Sequence, residues 1–111
     1  DTPGCTVESC AFRDALGAFS DRNTVVLGIS TDSAVSHQRF AQKYSLPFPL
    51  LADEGHQVAQ RYGVWVRKSP GGALGIARTT FVIDASGFIA HIFRGVKPDG
   101  HPQEVLARLP F

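Results

Sequence analysis

The chain has 111 residues, 43% of them hydrophobic and 19% charged, and its 11 Lys and Arg against 10 Asp and Glu leave a net charge of +1. That is enough chain for one domain with one core, and the near-neutral balance gives no reason to expect nucleic acid or an acidic surface as partner. Two cysteines are too few for a secreted disulfide scaffold, no metal-ligand spacing surrounds them, and no apolar run reaches the ~18 residues of a membrane span.

The opening stretch, Asp1 to Cys10, holds both cysteines, five residues apart. Thr2 can cap a helix, and Pro3 suits a first helical position. Apolar residues then recur at helical spacing to about Phe19: Val7, Cys10, Ala11, Ala15, Leu16, Ala18 and Phe19. Cys5 therefore falls in the first turn of a predicted helix. Unpaired backbone N–H groups and the positive end of the helix dipole favour an anion there, and a thiolate is such an anion. This makes Cys5 a candidate nucleophile and Cys10 its candidate partner. In an intact helix five residues advance the chain about 7.5 Å and turn it about 140°. A disulfide needs Cα atoms within about 7 Å, so the two can pair only if the first turns unwind. The other reading is two half-buried thiols in an amphipathic helix.

Further along, Thr24 to Ser30 is a continuous apolar, β-rich run, the pattern of a strand buried on both faces. Thr31-Asp32-Ser33 offers caps for a helix over 34–44, with Val35, Phe40, Ala41 and Tyr44 inward. Pro47 and Pro49 end it. Leu50-Leu51-Ala52 reads as a short strand closed by the turn Asp53-Glu54-Gly55. A short helix over 57–62 turns Val58, Ala59 and Tyr62 inward and stops at Gly63. Val64-Trp65-Val66 is extended. Residues 67–75 form a glycine-rich, hairpin-like or irregular excursion without the Gly-Lys-Ser/Thr ending of a phosphate loop. Two strands, 79–83 and 88–93, join through Asp84-Ala85-Ser86-Gly87 as a hairpin. A helix over about 102–109 ends the chain. His37, His56, His91 and His101 are scattered and are expected at the surface, not as ligands.

Helices alternating with strands and then a hairpin predict a single α/β domain over 1–111. Its sheet is mostly parallel with an antiparallel C-terminal hairpin, in a thioredoxin-like outline. A nucleophile at a helix start in such folds follows a central strand. No strand precedes Asp1, so that strand and about 30–45 residues are expected upstream, together with any targeting segment.

Several stretches together resemble the peroxiredoxins of the bacterioferritin-comigratory-protein, or PrxQ, type. They are Thr2-Pro3-Gly4-Cys5-Thr6-Val7-Glu8, Val25 to Ser30, Leu46 to Asp53, Tyr62-Gly63-Val64-Trp65 and Arg78-Thr79-Thr80-Phe81-Val82-Ile83-Asp84. The resemblance implies a thiol peroxidase acting on hydrogen peroxide and organic hydroperoxides. Cys5 is then the peroxidatic cysteine, and Cys10 the resolving one that closes an intramolecular disulfide. Thr2 offers its hydroxyl to thiolate and peroxide, Arg78 holds the thiolate and substrate oxygens, and Glu8 orients Arg78. The family's active-site proline, four residues before the threonine, would lie upstream. The resemblance also implies thioredoxin or a similar dithiol as reductant, no metal, flavin or haem cofactor, a monomer, and a cytoplasmic location.

Read without the resemblance, Arg78 is a surface ion-pair partner, Glu8 a first-turn acid suited to the dipole, and Thr2 only a cap. Trp65 and Phe48 read as core or pocket-wall residues. Two other functions compete. One is a disulfide reductase of thioredoxin type, whose cysteines normally enclose two residues where these enclose four. The other is a non-catalytic redox-interaction module.

Overall fold

The computed structural model describes residues 3–68 and 70–110. Along the described chain run α1 (Pro3–Asp21), β1 (Gly28–Ser30), α2 (Ala34–Tyr44), β2 (Leu50–Ala52), α3 (Gln57–Arg61), β3 (Trp65–Arg67), β4 (Leu74–Ile76), β5 (Thr79–Ile83), β6 (Ile89–Arg94) and α4 (His101–Ala107). No helix among the described residues is long and apolar enough to cross a membrane.

Local chemistry accounts for several of these boundaries. The Ser33 hydroxyl accepts the Ser36 N–H at 3.1 Å and starts α2. Ser45, left-handed at φ 54°, ends it, and the Leu46 N–H returns to the Ala41 carbonyl at 2.9 Å. β1 and β2 are parallel, with Gly28 opposite Leu50 and Ser30 opposite Ala52. Gly28 lies against its neighbour so closely that a Cβ there would sit 2.6 Å from the Leu50 side chain. The Asp53 carboxylate, at the end of β2, takes the N–H groups of Val58 and Ala59 at 3.2 and 2.9 Å and so seats the short α3. β5 and β6 form the hairpin, turned by Asp84, whose carboxylate accepts from the N–H groups of Ser86 and Phe88 at 2.9 and 3.0 Å.

The core is built from Phe12, Phe19, Phe48, Val82 and Val105, with Ala15, Val26, Leu46, Leu50, Phe93, Leu106 and Leu109 around them. It lies where α1 and α4 meet the β5–β6 hairpin and the start of β2.

Three sequence expectations change. The run 24–30 is a strand only over Gly28–Ser30, and it is not buried on both faces: Val25, Leu27 and Ile29 are exposed. Among the described residues β1 pairs with β2 alone, so its other side has no strand to cover it. The excursion at 67–75, by contrast, takes the hairpin-like form that was one of its two readings: β3 and β4 are antiparallel, with Trp65 opposite Ile76 and Arg67 opposite Leu74. Two of the four histidines are not surface residues. His101 is fully buried and His37 nearly so, because each is engaged in a hydrogen bond: His101 with Thr80 and Glu104, His37 with Ser30. On the amphipathic helices, Val35, Val58 and Tyr62 face outward more than their spacing suggests.

Candidate active site

Cys5 is the third residue of α1, in its first turn, and is exposed. Glu8 follows it by three positions, which puts both side chains on one face of the helix. Arg78 approaches that face from the residue just before β5. Its Nη1 donates to Glu8 Oε2 at 2.7 Å, and its Nη2 to Cys5 Sγ at 3.4 Å. One guanidinium thus spans a carboxylate and a sulfur from a position 73 residues away from Cys5 in sequence. Its own backbone is held by the loop after β6, where the Val96 N–H donates to the Arg78 carbonyl at 3.2 Å.

The electrostatics of Arg78 follow from this placement. Partial burial works against its charge, but hydrogen bonds and charge from Glu8 and Cys5 outweigh it and hold the guanidinium above its ordinary value. Arg78 is therefore cationic throughout the range in which a thiol titrates. Its side chain is 31% exposed and that of Glu8 20%, so the pair sits at the rim, where solvent screens it only in part. Glu8 lies beyond the first turn of α1, which contains no acid. That removes the reading of Glu8 as a first-turn partner of the helix dipole.

Gly4 has a packing role that the sequence does not announce. A Cβ at Gly4 would lie 3.1 Å from Arg78 Nη2 and 3.6 Å from Pro98 Cγ. The small residue lets the guanidinium come close to the start of the helix. The only sequence signal is a glycine inside a predicted helix, where it is otherwise unfavourable. The contribution of Val96 is a backbone bond and leaves no trace in residue type.

Cys10 lies in the same helix, half-buried, and neither cysteine is in a disulfide. Helical geometry turns it about 140° from Cys5. Thr2 lies outside the described residues. The structure thus brings Cys5, Glu8 and Arg78 together and keeps Cys10 apart.

An exposed sulfur beside a fixed cation at a helix start is the arrangement of a thiol nucleophile, and the comparisons agree. Residues 1–92 match the AhpC/TSA family. The putative peroxiredoxin bcp of Coxiella burnetii is 52% identical over 111 residues, covering 98% of this chain and 74% of that protein. Peroxiredoxin Bcp of Escherichia coli is 47% identical over 107 residues, covering 95% of this chain and 69% of that protein. Among solved structures, the bacterioferritin comigratory protein of Xanthomonas campestris superposes with a TM-score of 0.92 at 36% identity, over 96% of this chain and 69% of that one.

The chain belongs to the AhpC/TSA family, as a peroxiredoxin of the Bcp type with the thioredoxin-like fold. Its activity is that of a thiol-dependent peroxidase, which sets aside the disulfide-reductase reading.

Proposed function

We propose that Cys5 is the peroxidatic cysteine and Cys10 the resolving one, with Arg78 as the cation of the site and Glu8 as its positioning residue. The observation that carries this reading is the forked guanidinium, 2.7 Å from Glu8 and 3.4 Å from the Cys5 sulfur. A thiolate attacks one oxygen of a hydroperoxide in line. The O–O bond breaks, the sulfur becomes a sulfenic acid, and the second oxygen leaves as hydroxide or alkoxide and takes up a proton. Arg78 offers donors both to the sulfur before attack and to the charge that develops on oxygen. Glu8, anchored on the next turn, keeps the guanidinium aimed.

Cys10 then attacks the Cys5 sulfenic acid as a thiolate. The S–S bond forms as the S–O bond breaks, and the hydroxide released is protonated to water. The first turns of α1 must open for this to happen. A dithiol protein of thioredoxin type returns both sulfurs to thiols by exchange. The substrates are hydrogen peroxide and organic hydroperoxides, in line with the alkyl peroxide reduction activity described for the Xanthomonas protein. Thr2 contributes a hydroxyl to thiolate and peroxide. The working unit is a monomer with a single domain, and its reductive recycling suits the cytoplasm.

Peroxide-dependent oxidation of reduced thioredoxin is the test. Cys5→Ser is expected to bring it down to the rate of buffer alone, and a variant that keeps full turnover would remove Cys5 as the nucleophile.

A further inference from the structure

The helix that carries both cysteines changes character two residues after Cys10. The Phe12 ring stacks on Phe19 at 5.7 Å and meets the His101 imidazole edge-on at 5.7 Å and 77°. His101 has no exposed surface and is held at both nitrogens. Nδ1 lies 2.9 Å from Glu104 Oε1, and Nε2 lies 2.8 Å from Thr80 Oγ1. The Glu104 carboxylate is the hydrogen-bond acceptor facing Nδ1, and the Thr80 hydroxyl shares a hydrogen bond with Nε2. A second edge contact, to Phe93 at 5.3 Å, closes the other side. Thr80 stands two residues from Arg78, on β5. Next to Phe12, Arg13 Nη1 donates to the Tyr44 carbonyl at the end of α2, at 2.6 Å. Residues 12 and 13 of α1 are therefore fixed against β5, α4 and α2.

We propose that His101 is a positioning residue for the resolving step: it latches Phe12, so that the unwinding that carries Cys10 to Cys5 ends at Phe12. The inference rests on Cys5 and Cys10 being the reacting pair. Opening residues 4–10 uncovers no fully buried residue, since Cys5 and Val7 are exposed and the others are half-buried. Opening beyond Phe12 would uncover two phenylalanines and leave a buried imidazole without its neighbours. The latch also ties the standing part of α1 to the strand that Arg78 immediately precedes, so the site can re-form on the same frame after reduction.

The test compares the wild-type chain with Thr80→Val, which keeps the shape but loses the hydroxyl, and Thr80→Ser, which keeps the hydroxyl. Glu104→Gln, at an exposed carboxylate, is the second variant should Thr80→Val not fold. Hydrogen exchange is followed on the reduced protein and after one equivalent of hydrogen peroxide. In the oxidised wild type, protection is expected to vanish up to about residue 14, whose amides lose the carbonyls one turn back, and to persist from 16 to 20, with α2 unchanged. In oxidised Thr80→Val the loss should run through Phe19, and Thr80→Ser should restore the wild-type boundary. In a single turnover, closure of the disulfide should slow about three- to tenfold in Thr80→Val, because a looser Cys10 lowers the effective thiol concentration. Consumption of peroxide should change less than about twofold, since Cys5 and Arg78 are untouched. A boundary that stays at Phe12 in both Thr80→Val and Glu104→Gln, or one that already passes Phe19 in the wild type, would overturn the latch. Should the wild type fail to lose two hydrogens in mass on oxidation, the cysteine pair itself falls and takes the latch with it.

Discussion

Residues 3–10 of α1 present Cys5 and Val7 to solvent and are tied to β5 through a guanidinium at the rim. Residues 12–19 of the same helix turn Phe12 and Phe19 into the core. Polar tethers to a half-exposed cation exchange readily with water and are individually weak, whereas burial of aromatic rings is not replaced by anything water offers. One continuous helix therefore holds a part able to open and a part that stays. The boundary falls just past the second cysteine, as the proposed five-residue resolving step requires.

The largest way to break this contrast is to remove the buried half. Phe19→Ala, at a ring only 1% exposed, is expected to cost about 3–5 kcal/mol in a urea unfolding titration. A loss below about 1 kcal/mol would mean that the second half of α1 is not the anchored one. Next in size is Arg78→Ala, which strikes the exposed half. The second-order rate with peroxide should fall about 10²–10³-fold, a loss of the order seen when a developing oxyanion loses one donor, while the unfolding midpoint stays close to wild type. Arg78→Lys should recover only part of the rate, because an ammonium cannot span Glu8 and the sulfur as the guanidinium fork does. A rate within twofold of wild type for Arg78→Ala would show that the fork is not part of the chemistry. The smallest effect is expected outside the helix, at Gly28→Ala. Leu50 must turn to admit the new methyl, at a cost of about 1–2 kcal/mol in the same titration. Peroxidase activity should be retained there, so a lost site with an intact fold would show β1 to be coupled to Arg78 more directly than its packing suggests.

Much of the fold is legible in the residues. The bounds of α2 follow from Ser33 as cap and from the break imposed by Pro47 and Pro49, and the β5–β6 hairpin from Asp84 and Gly87 between two β-rich runs. The inner face of α1 is less legible. Ala11, Ala15 and Ala18 dilute its pattern, so the sequence reading runs a stripe through Val7 and Ala11. The structure keeps Phe19 from that stripe and adds Phe12, seven residues before it, while Val7 is exposed. Small residues at helical spacing do not say which side faces in; the two large rings do. At the site, Cys5 is readable from its place at a helix start. Arg78 and Glu8 are not, because nothing local connects residues 70 apart, and only the resemblance joined them before the distances were known. His101 escaped notice for a related reason. A histidine reads as polar, and only the placement of Thr80 and Glu104 makes its burial affordable.

On the roles proposed above, the fork at Arg78 also sets the order in which things happen. While the sulfur carries negative charge, it draws the guanidinium inward and steadies the opening turns through Glu8 and Cys5 together. Once an oxygen has been transferred, the sulfur is neutral and its half of that grip slackens. The product of the first reaction is thus the trigger that frees the peptide for the second. The enzyme needs no separate signal to tell an unspent sulfur from a spent one.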